Sequence, residues 1–279
     1  MSGLDDTDLQ QVQRELQIQS FEPGTVVCRA GEPTRHWVGV FSGLLLVRRP
    51  PDRLGPSVAV APGGWLGEDT LARFEPWADD VVALRKSHVG LLPAQTYFRL
   101  RERSLAFNHV LLARLEQRMR ICMQSVQAGR AGGADERVAQ ALLGLFDPVL
   151  HPAVGQTLRV TQEELAEICR LSRQRVNQAL QRLGSLGMLR LRYGGLELVA
   201  AEALRQFAGH GVNGAARPAG ARTAGRRAAL GLDLGGGGAP GSAASRATAA
   251  PAGEGPWLRR RCRRQALAQA DAVGAAPLE

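Results

Sequence analysis

Aromatic side chains are scarce in this chain, 5% of 279 residues against 44% hydrophobic overall. A core must therefore be built from Leu, Val and Ala rather than from large rings. Cysteine is scarcer still: Cys28, Cys122, Cys169 and Cys262 stand apart, with no CxxC pair and no His cluster nearby. That spacing argues against zinc, iron–sulfur and disulfide frameworks, and the thiols read as free cysteines of a reducing compartment. No apolar run approaches the roughly 18 residues of a membrane span. The first ten residues, MSGLDDTDLQ, are acidic and lack the charged-then-apolar order of a signal peptide. A cytoplasmic location is expected, with no membrane partner. There is no nucleophile–base constellation, no phosphate-cradling glycine loop with Lys and no metal spacing, so an enzyme is not expected.

Positive charge is present in excess, with 35 Lys and Arg against 26 Asp and Glu, a formal +9. Ten Arg and four acidic residues lie after residue 210, leaving only +3 for the rest. The net charge is thus mainly a property of the C-terminal stretch and says little about the folded part.

Four regions follow from pattern. Residues 4–18 read as a short amphipathic helix. From Phe21 to about Leu92, short apolar runs (Thr25–Cys28, Trp37–Phe41, Leu44–Val47, Val58–Ala61, Val81–Leu84) alternate with Gly and Pro turns. Such spacing indicates an antiparallel barrel or sandwich, and residues 1–93 are assigned to a β-barrel sensor domain. A long helix is expected over 94–130. On it Leu105, Asn108, Leu112, Leu115, Met119, Cys122 and Val126 recur at alternating intervals of three and four, the seam of a helix pair. One stripe does not by itself separate pairing with a second copy from packing on the chain's own sheet. Persistence over three heptads and charged flanks favour a homodimer, with Asn108 as a register-setting polar pair. A hinge at Ala131-Gly132-Gly133 leads to a compact unit at 134–208. Beyond 211 the chain is dominated by Gly, Ala, Pro and Ser. It buries too little apolar surface to offset ordering entropy, so 211–279 reads as a disordered tail with a basic cluster at 257–264.

The strongest signal lies between Val160 and Leu183. Thr161 with Glu164 forms a capping box that starts a helix. That helix ends near Ile168, and after Cys169-Arg170-Leu171 a second N-cap is offered by Ser172. Two short capped helices around a tight turn make a helix-turn-helix. At about 100° per residue, the second helix gathers Arg173, Gln174, Asn177, Gln178 and Gln181 on one side. Val176, Ala179, Leu180 and Leu183 gather on the other. The polar side carries no acid, and Arg, Gln and Asn are the side chains whose forks match guanine and adenine edges in the major groove. Base contacts are therefore assigned to Arg173, Gln174, Asn177 and Gln178. Phosphate contacts are assigned to Thr161, Gln162, Arg170, Ser172 and Arg175. Leu189–Val199 alternates about Gly194-Gly195, a hairpin wing. The partner is double-stranded DNA; a module whose winged domain contacts protein is the alternative.

This order of elements resembles the Crp–Fnr family of bacterial regulators over roughly residues 15–208. Leu171-Ser-Arg-Gln-Arg-Val-Asn-Gln-Ala-Leu-Gln-Arg-Leu183 carries the likeness most strongly, with Gly24, Gly31-Glu32, Gly43 and Gly67-Glu68 at the turns. The resemblance implies an α+β fold: an N-terminal jelly-roll barrel of the cyclic-nucleotide-binding kind, a long dimerisation helix and a C-terminal winged helix-turn-helix. It also implies RNA polymerase as a partner. In nucleotide-binding members a Gly-Glu pair engages ribose and an Arg-Ser pair roughly ten residues later holds the cyclic phosphate. Here Gly67-Glu68 is present, but the later positions are Ala78-Asp79. An anion there loses its forked Arg and meets carboxylate, at about 3 kcal/mol per like-charge contact near 5 Å. Cyclic AMP is not expected, and no other cofactor is identifiable. Arg73 and Arg85 are the remaining cations within reach in sequence, so the candidate effector pocket is Gly67, Glu68, Arg73 and Arg85. Only Cys28 lies where the family's iron–sulfur sensors carry a cysteine cluster. For the axial ligand of the family's haem-binding members, His36 and His88 are available.

Overall fold

The computed structural model describes residues 6–49, 57–128 and 133–209. The tail with its basic cluster and the hinge residues Ala131 and Gly132 lie outside the described residues.

Helix α1 (Asp6–Glu15) is shorter than the amphipathic stretch expected over 4–18. Gln17–Phe21 leaves the helix to become β1, because its alternating side chains find a partner strand 70 residues on. The sheet strands that follow are β2 (Val26–Cys28), β3 (His36–Ser42), β4 (Leu45–Arg48), β5 (Val58–Val60), β6 (Trp65–Leu66), β7 (Asp80–Ala83) and β8 (Ser87–Pro93). A short helix α2 (Glu68–Arg73) sits between β6 and β7. They make two antiparallel four-stranded sheets, ordered β1-β8-β3-β6 and β2-β7-β4-β5. The expected barrel is therefore an open sandwich. Among the described residues no ladder pairs a strand of one sheet with a strand of the other, and the Pro33–Pro76 bridge is isolated and lies outside the strands. Between the sheets lie Val38, Val40, Leu45, Val60, Leu66, Val81, Ala83 and Val89, the small branched core that the scarcity of rings requires. The few large rings are concentrated on the outside of the first sheet, where Trp37, Phe41, Tyr97 and Phe107 cluster under α1 and the helices that follow β8. Cys28 is buried, and burial pushes its thiol up to about 12.

The long helix expected over 94–130 is two helices, α3 (Ala94–Arg103) and α4 (Leu105–Ala128). Ser104 breaks the run with an extended backbone (φ −109°, ψ 109°). Its Oγ accepts a hydrogen bond from the Phe107 amide at 3.2 Å, satisfying an amide that the new helix end exposes. Asn108 then donates its side-chain amide to the Arg101 carbonyl at 2.7 Å, across the corner. In this chain one Asn108 amide hydrogen is thus engaged at the corner. The rest of the stripe is not packed on the sheet. Phe107, Leu111 and Arg114 are the buried face, whereas Leu105, Leu112, Leu115 and Met119 are 45–71% exposed and Cys122 is exposed. Val126 lies on α4, but its side chain is outside the description.

The C-terminal unit comprises α5 (Ala134–Leu145), β9 (Thr157–Leu158), α6 (Gln162–Cys169), α7 (Arg173–Ser185), β10 (Leu189–Arg192), β11 (Gly195–Leu198) and α8 (Ala201–Gly209). The wing is a three-stranded sheet, β10-β11-β9. Its turn falls at Tyr193-Gly194, one residue earlier than the alternation suggests, since Gly194 takes the left-handed backbone (φ 73°). Leu142, Leu165, Val176 and Leu183 are fully buried beneath α5, α6 and α7, each worth roughly 1.5–3 kcal/mol of burial. The same cluster includes Leu46 of the second sheet, with Leu44 and Ala61 beside its strands β4 and β5. The winged unit thus shares a core with the sandwich rather than hanging from a hinge. Gly64 permits this contact, because a Cβ there would lie 2.7 Å from the His151 ring.

Candidate nucleic-acid interface

Both helix starts in the DNA-reading unit are built as their sequences dictate. Thr161 accepts from the Glu164 amide at 3.2 Å, and Glu164 reaches back to the Thr161 amide at 2.7 Å. Ser172 accepts from the Arg175 amide at 3.3 Å. Between them Arg170 adopts a left-handed backbone (φ 52°), which costs a non-glycine residue about 1–2 kcal/mol and makes the sharp turn.

Helix α7 then divides cleanly. Val176, Ala179, Leu180 and Leu183 are buried, while Arg173, Gln174, Arg175, Gln178 and Gln181 are exposed. Asn177 is half-buried, its Oδ1 accepting from Gln162 Nε2 at 3.0 Å. That bond ties the start of α6 to the middle of α7. Gln162 therefore works as a brace in this conformation, not as a free phosphate donor. Arg173 pairs with Glu163 at 2.9 Å, both side chains exposed, a contact worth no more than about 1 kcal/mol and readily exchanged for DNA. Arg175 donates to Gln178 Oε1 at 3.0 Å.

A second phosphate assignment changes. Arg170, expected on a phosphate, turns to the sandwich, donating from Nε to Ser57 Oγ at 3.3 Å and from Nη2 to the Arg49 carbonyl. It belongs to a row on α6 and its C-cap: Glu164 pairs with Arg85 at 2.6 Å, and Glu167 pairs with Arg48. Spacing by three residues puts 164, 167 and 170 on one helix side, and that side faces the second sheet. The unshared acids of α6 are thereby neutralised away from α7.

Two features are not legible in the sequence. Asp135, buried in the first turn of α5, lies 2.7 Å from Arg182 and 3.7 Å from Arg175, so one carboxylate steadies two arginines of α7. An acid in a helix's first turn is an ordinary dipole-complementing choice, and nothing in the sequence says which cations it meets. On the wing, Glu197 pairs with Arg192 at 2.7 Å and Arg190 at 3.2 Å. The Arg192 hydrogen bond, more than any other contact, holds the Glu197 carboxyl below its usual range. Tyr193 at the tip is fully exposed.

The expected effector pocket is not assembled. Gly67 (φ 98°) opens α2, and a Cβ there would come within 2.9 Å of the Trp77 ring. Glu68 is buried, accepting from Trp37 Nε1 at 3.3 Å and pairing with Arg118 of α4 at 2.6 Å. Arg73 pairs instead with Glu75 at 3.0 Å, and Arg85 with Glu164, because each meets a nearer acid. Neither offers a cation beside Glu68. At the anion-holding position, buried Asp79 pairs with Arg49 at 3.3 Å, and Asp80 accepts from the Ala30 amide at 2.7 Å. The acid that the resemblance assigns to ribose is thus paired with Arg118, and Asp79 stands at one of the two positions that the resemblance assigns to the phosphate.

Residues 18–104 match the cyclic nucleotide-binding domain family, and residues 136–207 match the Crp-like helix-turn-helix domain. Among solved structures, FixK2 from Bradyrhizobium japonicum is 18% identical over 69% of this chain and 96% of its own, with a TM-score of 0.53, and shares the fold. The Thermus thermophilus catabolite activator protein is 25% identical over 74% of this chain and 96% of its own, with a TM-score of 0.39. No curated protein matches the chain. Among the described residues no helix is long and apolar enough to cross a membrane. A sandwich of the first family followed by a winged unit of the second places this chain in the Crp–Fnr family of transcription regulators.

Proposed function

We propose that this DNA-binding regulator acts as a homodimer reading a two-fold symmetric site, with α7 in the major groove. Arg173, Gln174 and Gln178 contact base edges from the exposed side, with Asn177 joining them if its bond to Gln162 exchanges. Arg175, Thr161 and Ser172 meet phosphates. The observation that carries this reading is an exposed α7 face of Arg and Gln without a single acid. Such a face is poorly explained as plain solvated surface and well matched to guanine and adenine edges.

The second copy is supported by the α4 stripe. Leu105, Leu112, Leu115, Met119 and Met123 are exposed along α4 while Phe107 and Leu111 are buried, at the spacing of a helix pair. A homodimer that covers this stripe sets two α7 helices about one turn of DNA apart, ~34 Å. An encounter with RNA polymerase and a cytoplasmic setting accompany this role.

Selection of bound duplexes from a random pool, followed by titration of the recovered site, tests the reading. Wild-type protein is expected to recover a palindromic consensus, with affinity falling steeply as salt rises because phosphate contacts release counterions. Recovery of the same consensus by Arg173→Ala and Gln174→Ala proteins would remove α7 from base recognition. Leu112→Asp is expected to give a monomer with weak binding to the full site.

A further inference from the structure

Acids face the arginines of the winged unit at several places, and one of them stands apart. Glu163, the partner of Arg173, is exposed and swings aside when a better partner arrives. Asp135 has no such freedom. It is 5% exposed and sits in the first turn of α5, where the helix dipole favours a negative charge. Its carboxylate meets two arginines of α7 with a single charge: Arg182 lies 2.7 Å from Oδ2 and Arg175 lies 3.7 Å from Oδ1.

The two arginines hold that carboxylate differently. Arg182 makes a short charge-assisted hydrogen bond and lays its guanidinium over the Phe207 ring of α8, 5.7 Å from the centroid. Arg175 stands beyond hydrogen-bond reach of Oδ1, and that buried oxygen has no hydrogen-bond partner among the described residues. Once Arg182 has matched the carboxylate, Arg175 is the surplus cation, half-exposed and releasable. The arginines of α4 are the opposite case. Arg114, 2% exposed, donates to the Val149 and Leu150 carbonyls at 3.2 and 3.3 Å, and Arg118 pairs with buried Glu68.

We infer that Asp135 is an internal stand-in for a DNA phosphate, which retains Arg175 by charge in the free protein and is exchanged for a phosphate on binding. Arginine carries donors alone, and carboxylate and phosphate both offer it anionic oxygens. Every duplex, matched or not, has to draw Arg175 from the same internal anion. Asp135 therefore holds down the sequence-independent part of binding and leaves discrimination to the side chains that read bases. This inference rests on the reading of Arg175 as a phosphate contact. Asp135 itself touches no DNA; it is a positioning residue that acts through Arg175.

The test uses the full-length protein, the duplex recovered by selection and a random duplex of equal length. Asp135→Asn removes the charge, keeps the shape and still offers Arg182 an oxygen. It is expected to bind both duplexes about threefold tighter, the size that a partly exposed ion pair commands, with the preference between them unchanged. In an Arg175→Ala background the gain is expected to vanish, because the acid then has no cation to retain. Loss of a purely structural contact would loosen α7 and weaken binding, so the sign separates the two roles. Arg182→Met, at an exposed side chain, is expected to shift affinity the other way, since Arg175 becomes the carboxylate's remaining partner; that loss also vanishes without Arg175. Unchanged or weaker binding by Asp135→Asn overturns the inference. So does a gain or a loss that persists in Arg175→Ala, the mark of the general field of these charges. Arg175→Ala protein with wild-type affinity would remove the phosphate reading of Arg175 and this inference with it. Wild-type protein that binds neither duplex would sink the DNA-binding reading itself.

Discussion

Helices α4 and α7 both carry arginine, and the two sets live in opposite surroundings. On α7, Arg173 and Arg175 are exposed; their contacts with Glu163 and Gln178 can be traded for a nucleic acid at small cost, and Arg182 keeps buried Asp135 paired when Arg175 leaves it. On α4, Arg114 is buried and Arg118 is two-thirds covered, with carbonyls and one carboxylate as partners. The first set remains available to a ligand; the second is committed to the fold. The difference teaches that a count of basic residues predicts neither where a polyanion binds nor how strongly, since burial decides whether a guanidinium is a hand or a bolt.

The comparison is broken most severely at Arg114. Arg114→Met strands the Val149 and Leu150 carbonyls, at about 1–3 kcal/mol for each buried group left unsatisfied. A loss of about 3 kcal/mol in denaturant unfolding is expected, and a loss below about 0.5 kcal/mol, ordinary for a surface change, would show that the arginine is not a structural bolt. Arg173→Ala is expected to do the reverse. DNA discrimination should fall by about 1–3 kcal/mol at one base position, with unfolding within about 0.5 kcal/mol of wild type. Competition between matched and mismatched duplexes reads this directly.

A third expectation concerns acid. His151 is buried, its Nδ1 2.9 Å from the Gly144 carbonyl. Burial first, and the Arg114 charge second, hold it down to about 3 from an ordinary 6.5. The unfolded chain therefore takes up the proton before the folded one does. Its contribution to stability is complete above pH 6.5 and is lost as pH falls toward 3, by about 1.4 kcal/mol at pH 5.5. His151→Gln should flatten that slope between pH 6.5 and 5 in thermal unfolding, and an unaltered slope would place its origin elsewhere. The smallest expected effect is at Arg175. Arg175→Ala should weaken binding to all sequences alike and reduce the salt slope by about one; a change confined to one base position would make it a reader instead.

Much of the winged unit is legible in its residues alone. The capping box at Thr161 and Glu164, the Ser172 cap and the two-faced α7 are local signals, decided by hydrogen bonds within four residues and by a 3.6-residue period. The sandwich is legible in part. Its branched, glycine-punctuated strands announce themselves, but β1 and β8 do not. Gln-Ile-Gln-Ser-Phe reads equally as a helix end, and Ser87–Pro93 carries Gly90 in its centre; each is a strand because the other pairs with it. The break at Ser104 escapes a reading by pattern because no Gly or Pro marks it, and the apolar stripe begins only beyond it, at Leu105. The backbone turns there through a corner that Asn108 closes.

By itself the sequence determined what each helix offers: an acid-free recognition face on α7, an apolar stripe on α4, and Ala78-Asp79 where an anion would need Arg and Ser. Those are properties of one short segment each, and neighbouring residues suffice to define them. Only the tertiary structure decided what each side chain meets. It turned Arg170 from DNA to Ser57, assigned Asp135 to two arginines of α7, and set Arg118 on Glu68 fifty residues away. Such pairs are selected by the shared burial of groups that a linear pattern keeps apart. A buried charge must find its opposite wherever the packing of sandwich, helix and winged unit puts it.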